Sequence, residues 1–157
     1  MDDSSKTKEL IKYLIYNMNL PTITSITKML YLIDLAAVSS AGKKITNLNF
    51  IRYYYGPYDS SIKNILDEMI LKHETDVDVK FLPNGEPYLV YRSPKGVAEC
   101  LYNGDNENIV NDLVNDLGHL SPKSLTEIAY KTKPMMKLNA TLGGNEHLNE
   151  TLDLSEV

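Results

Sequence analysis

The sequence predicts an α+β fold: a single, mostly helical domain with a small antiparallel sheet formed around a β-hairpin. Three observations lead there. Apolar residues recur at three-and-four spacing in several segments, the mark of helices with one buried face. Between residues 76 and 92 the period drops to two on either side of Pro83–Asn84–Gly85. Asn-Gly between alternating runs is the strongest short hairpin signal. Finally, a chain of 157 residues, 43% of them hydrophobic, suits one sizeable core and is too short for two full domains.

The elements follow in order. Leu10, Ile11, Leu14, Ile15 and Met18 set a first helix over 6–18, which Asn19 and Pro21 end. A second helix is expected over 24–40, with Ile26, Met29, Leu30, Ile33, Ala36 and Ala37 as its buried stripe. Gly42 suits the position just past its end, and Lys43 and Lys44 complement the negative end of its dipole. Asp34 lies within that stripe, where a carboxylate is read as a hydrogen-bonding tie to a loop, not a catalytic group. Residues 47–54 read as a strand that stops at Gly56–Pro57, because Pro57 fixes its own φ and pushes its neighbour out of the helical region. Asp59 or Ser60 then opens a helix carrying Ile62, Ile65, Leu66, Met69 and Ile70.

Val77, Val79 and Phe81 alternate with acids and a lysine, and residues 88–92 answer them across the hairpin. Ile109, Leu113, Val114 and Leu117 predict a helix from about Asp105 to Gly118. Ser121 and Pro122 open another with Leu125, Ile128 and Ala129 inside. The folded domain is thus expected over 1–138, with 139–157 as a flexible acidic tail, rich in Gly and Asn with only scattered leucines.

Tyr53, Tyr54 and Tyr55 stand on the hinge before Gly56. A packed corner of the core is the first reading, yet successive strand residues point to opposite faces, so all three cannot face inward. Eleven tyrosines against two phenylalanines add weight to a recognition surface, because interfaces favour tyrosine at their centres. Tyr53, Tyr54 and Tyr58, with Arg52 as a charged anchor, are the candidate partner-binding residues.

Chemistry is harder to find. None of His73, His119 and His147 has a second histidine or a cysteine at ligand spacing. Gly143–Gly144 lacks the residues of a phosphate loop. Cys100 has no basic neighbour to make it a thiolate, and a lone cysteine fits a reducing compartment. Neither an enzymatic site, a metal nor a cofactor is expected. The N-terminus lacks the order of a signal peptide, and the run from Met29 to Leu35 is too short to span a bilayer, so a cytoplasmic protein without a membrane partner is expected. The net charge of −5 argues against nucleic acid, which selects basic surfaces.

Lys28–Met29–Leu30–Tyr31–Leu32–Ile33–Asp34, Gly42, Ile45, Tyr55–Gly56–Pro57 and the late Leu120–Ser121 helix, taken in order, resemble the Panacea domain. That family includes SocA-like antitoxins and many phage-associated proteins. In it Lys28, Tyr31, Asp34, Gly42, Tyr55, Gly56 and Pro57 are motif positions. This chain departs where the family usually has a Pro-Trp pair: it has Pro134–Met135 and no tryptophan. The resemblance implies a non-enzymatic antitoxin of a toxin–antitoxin system, binding a cognate protein toxin by masking it or by delivering it to a cellular protease. Helix, helix, strand, helix, hairpin is also the order of a winged-helix module, so the alternative function is a DNA-binding transcriptional regulator. There, the helix after Asp59 would enter the groove with more acids than bases.

Overall fold

The computed structural model describes residues 3–97 and 100–155. Helix α1 (Asp3–Asn17) leads into α2 (Ile23–Ala41), which contacts α1 and more of the later elements than any other helix does. The start of α2 is fixed by a reciprocal cap: Thr22 Oγ1 accepts from the Ser25 amide at 3.1 Å, and Ser25 Oγ accepts from the Thr22 amide at 2.8 Å. Its end is fixed by Gly42, in the left-handed region at φ +81°, whose N–H returns to the Val38 carbonyl. By length and composition α2 could cross a membrane, but Ile26, Met29, Leu30, Tyr31 and Ile33 are fully buried within the domain. It is a core helix, apolar on nearly every side because it touches neighbours on nearly every side.

Strands β1 (Ile51–Tyr53) and β2 (Gly56–Tyr58) then form a tight antiparallel pair in the register Ile51↔Tyr58, Arg52↔Pro57, Tyr53↔Gly56. This corrects the expectation of one strand over 47–54 that stops at Gly-Pro. The chain turns at Tyr54–Tyr55, and Gly56–Pro57–Tyr58 is itself the return strand. Pro57 can sit there because its partner Arg52 directs both backbone groups to the other side, donating to the Glu150 carbonyl and accepting from Asn149. Asp59 caps the next helix, α3 (Ser61–Leu71), through the Ser61 amide at 2.9 Å.

Strands β3 (Asp76–Phe81) and β4 (Pro87–Arg92) pair from Asp76↔Arg92 to Phe81↔Pro87, as the alternation predicts. They form a second two-stranded sheet and do not join the first, so the one small sheet expected around the hairpin is two. Both edges of β1 are already taken. One edge holds β2, and along the other run Asn149 to Leu152, with a bridge at Ile51↔Thr151 and a bond from the Leu152 amide to Phe50.

Helices α4 (Glu107–Leu117), α5 (Pro122–Tyr130) and the short α6 (Lys133–Lys137) complete the domain. Ser121 caps α5 through the Ser124 amide, with Pro122 in the first turn as predicted. Helix α6 was not anticipated. Within it Met135 is fully buried, so methionine fills the place that follows Pro134. The expected loose tail is corrected as well. Leu152 and Leu154 are buried in the core cluster, and residues 149–152 satisfy the otherwise open edge of β1.

Candidate functional site

Three polar residues share one face of α2 and are all buried: Lys28, Tyr31 and Asp34. Each ties the helix to a different part of the chain. Asp34 Oδ1 accepts from the Ile45 and Thr46 amides at 2.9 and 3.0 Å, and Oδ2 accepts from Thr46 Oγ1 at 2.5 Å. It is the helix-to-loop tie that its place in the stripe suggests. Burial pushes its carboxyl pKa up, while these hydrogen bonds pull it back. Tyr31 shares a 2.7 Å hydrogen bond with Thr132, between α5 and α6, and burial pushes its phenol up to about 12.

Lys28 is different. Its Nζ donates to the Pro57 carbonyl at 3.2 Å, and burial alone lowers the ammonium from 10.5 to about 8. No carboxylate pairs with it among the described residues. The lysine stem passes Gly56 so closely that a Cβ there would lie 3.1 Å from Lys28 Cε, and Gly56 has φ +110°. Glycine is therefore favoured twice, by the backbone and by the tight approach of the lysine beside it.

On the outer side of the same hairpin lie the tyrosines. Tyr53, Tyr54 and Tyr55 are all exposed, Tyr55 by 65%, and Tyr58 is half-buried. Tyr53 stacks on Tyr58 at 5.0 Å between centroids and meets Tyr54 edge-on at 5.4 Å. The packed core corner is thus corrected to a surface ridge. Its cause is the turn, which carries Tyr54 and Tyr55 away from the core. Tyr53 faces Gly56 across the ladder, which leaves it free to reach diagonally to Tyr58.

Arg52 is not on that surface, and its expected role as an exposed charged anchor is corrected. Strand alternation turns it inward, where it is 0% exposed. Its guanidinium donates to the carbonyls of Thr141 at 2.8 Å, Gly144 at 3.1 Å and Glu146 at 3.2 Å, and to the Tyr53 carbonyl and the Tyr130 hydroxyl. The Glu146 carboxylate is 3.6 Å away, and the Tyr130 ring lies beneath the guanidinium at 5.7 Å. Arg52 anchors the chain's own C-terminal segment. Sequence reasoning missed Tyr130, Thr132 and the carbonyls of 141–146, which act through backbone groups or long-range pairing and leave no local pattern.

Ile23, Thr24, Thr27 and Lys28 of α2, with Tyr53, Tyr55, Gly56 and Tyr58 of the hairpin, line a cavity of about 140 Å³. Among the described residues no three or more His, Cys, Asp or Glu side chains are placed to hold a metal. Cys100 is half-buried, and burial pushes its thiol up, away from reactivity.

A family model described as antitoxin SocA-like, Panacea domain, matches residues 26–134, from the first turn of α2 through both hairpins and α3 to α5 to the start of α6. Neither a curated protein nor a solved structure gives a significant match.

Proposed function

The chain belongs to the SocA-like antitoxin family of Panacea domains, and from that membership we propose that it binds and neutralises a cognate protein toxin without catalysing a reaction. The observation that carries this reading is the tyrosine ridge beside a small cavity: Tyr53 packs against Tyr54 and the half-buried Tyr58, and Tyr53, Tyr54 and Tyr55 are exposed. Large, rigid aromatics bury area at a low cost in side-chain entropy, which suits a surface whose work is binding. Such a complex would act in the cytoplasm. Masking of the toxin and its delivery to a protease both begin with this contact, so both place the same demand on the ridge.

The test is co-expression of the reading frame adjacent to the gene. Wild-type chain should restore growth to cells producing that neighbour. Tyr53→Ala, Tyr54→Ala and Tyr58→Ala, each confirmed as folded, should weaken the rescue. A neighbour that is not toxic, or full rescue by all three folded variants, would sink the reading or move the interface elsewhere.

A further inference from the structure

We propose that the cavity between α2 and the β1–β2 hairpin is a pocket for an acidic side chain: a Glu or Asp of the protein partner enters between Tyr53, Tyr55 and Tyr58 and sets its carboxylate on the Lys28 ammonium. The identity of the donor as a protein partner rests on the antitoxin reading. The chemistry of the pocket rests on geometry alone.

Lys28 is 4% exposed and lines the cavity. An ammonium has three donors, and the described hydrogen bonds supply one acceptor, the Pro57 carbonyl. No ion pair reaches it among the described residues. A buried cation without a counter-charge is costly, and an incoming anion relieves that cost. The contrast with Arg52, on the adjacent strand, is direct: that cation has its oxygens supplied by the chain itself.

The walls decide what kind of anion. A single ammonium suits a carboxylate, whereas a phosphate calls for several convergent donors or a guanidinium fork. About 140 Å³ accommodates a carboxylate with its short aliphatic stem and falls below the range of drug-sized ligand pockets. Tyrosine rings line the approach and give that stem an apolar surface. Thr27 Oγ1 is engaged with the Ile23 carbonyl at 2.6 Å, and Lys28 is the one cation among the residues that line the cavity. The chain's net charge of −5 does not draw an acidic partner from a distance, so the pocket acts at contact, as a specificity element.

The experiment is a titration of the full chain with the peptide Ac-Ala-Glu-Ala-NH2, followed by amide NMR at a pH well below 8, where Lys28 is charged. Ac-Ala-Gln-Ala-NH2 and sodium acetate are the comparison probes. Saturable shifts are expected at the amides of Lys28, Gly56 and Tyr58. Affinity for the glutamine peptide should be at least about tenfold weaker, the measure of one charge-assisted hydrogen bond. Lys28→Met, which keeps the stem volume, should abolish the response. Should that variant fail to fold, Tyr55→Ala at the exposed rim should weaken it instead. No response, or an equal response to the glutamine peptide, overturns the pocket. Acetate binding as tightly as the peptide overturns the docking of a side chain and leaves a site for small free carboxylates. No toxin enters this titration, so a chain that binds the peptide but fails the rescue assay would refute the antitoxin reading and leave the pocket standing.

Discussion

Burying Lys28 has a cost that changes with pH, and Lys28→Met measures it. In the folded chain the ammonium loses its proton near 8, against 10.5 for an ordinary lysine. At about 1.4 kcal/mol per unit, that difference corresponds to about 3 kcal/mol. Below pH 8 both folded and unfolded chains carry the charge, and the folded state bears the whole penalty. Between 8 and 10.5 the unfolded chain still holds a proton that the folded chain has released, so stability rises with pH across this window and levels off above it. Lys28→Met removes the titration but leaves the Pro57 carbonyl without its donor, a pH-independent loss of about 1–3 kcal/mol. Near neutrality the two effects nearly offset, and the variant should match wild type to within about 2 kcal/mol. Towards pH 10.5 wild type should pull ahead by about 3 kcal/mol relative to its standing at pH 7. Urea denaturation of both proteins across that range gives the difference directly, and Tyr31 and Tyr102, with phenols near 12, titrate in both and cancel. A difference that stays flat with pH would refute the claim that Lys28 is desolvated and uncompensated.

Other substitutions probe the surrounding ties. Gly56→Ala combines φ +110° with a Cβ 3.1 Å from Lys28 Cε, and should cost about 1–3 kcal/mol, seen as a lower thermal midpoint; an unchanged midpoint would show a slack corner. Asp34→Ala strands the Ile45 and Thr46 amides and the Thr46 hydroxyl, so a loss of at least about 3 kcal/mol is expected in urea, and one below 1 kcal/mol would mean that water replaces the carboxylate. Arg52→Ala should release the C-terminal segment, read as faster hydrogen exchange at the Arg52 and Leu152 amides, and exchange as slow as wild type would assign the docking to Leu152 and Leu154 instead. Specific binding to upstream DNA is not expected, because the lysines of α3 and its C-terminal cap are paired with acids of the helix, Lys63 with Asp67 at 2.7 Å and Lys72 with Glu68 at 2.6 Å; a sequence-dependent complex that survives moderate salt would favour the winged-helix regulator.

What could be read in the sequence was whatever repeats locally. The apolar spacing of α1 and α2, the Ser121–Pro122 start of α5 and the Asn-Gly hairpin all signal through neighbours a few residues apart, and the structure has them within three residues of expectation. Asp34 was legible because a carboxylate inside an apolar stripe has to be satisfied nearby. Strand β2 was not, because two of its three residues, Gly56 and Pro57, are of types depleted in strands. Pro57 is accommodated opposite Arg52 because Arg52 turns its backbone towards residues almost a hundred positions later. The tail was illegible for the same reason. Leu152 and Leu154 look like scattered apolar residues until the edge of β1 is known to be open to them.

The two buried cations show why the candidate site resisted sequence reading most. Arg52 and Lys28 look alike in a sequence, a basic residue among apolar ones, and the natural guess puts the arginine on the surface beside the tyrosines. Burial of a charge is decided by the oxygens within reach, which composition does not reveal. Arg52 is received by carbonyls from 141, 144 and 146, so it can face inward and is engaged by its own chain. Lys28 reaches one carbonyl, that of Pro57, the residue paired with Arg52 across the hairpin. A single short hairpin thus joins a cation whose hydrogen-bonding needs are met within the chain to one whose needs are not. Its outer face carries the tyrosines, and an acidic side chain passing between them would reach the buried Lys28 ammonium behind.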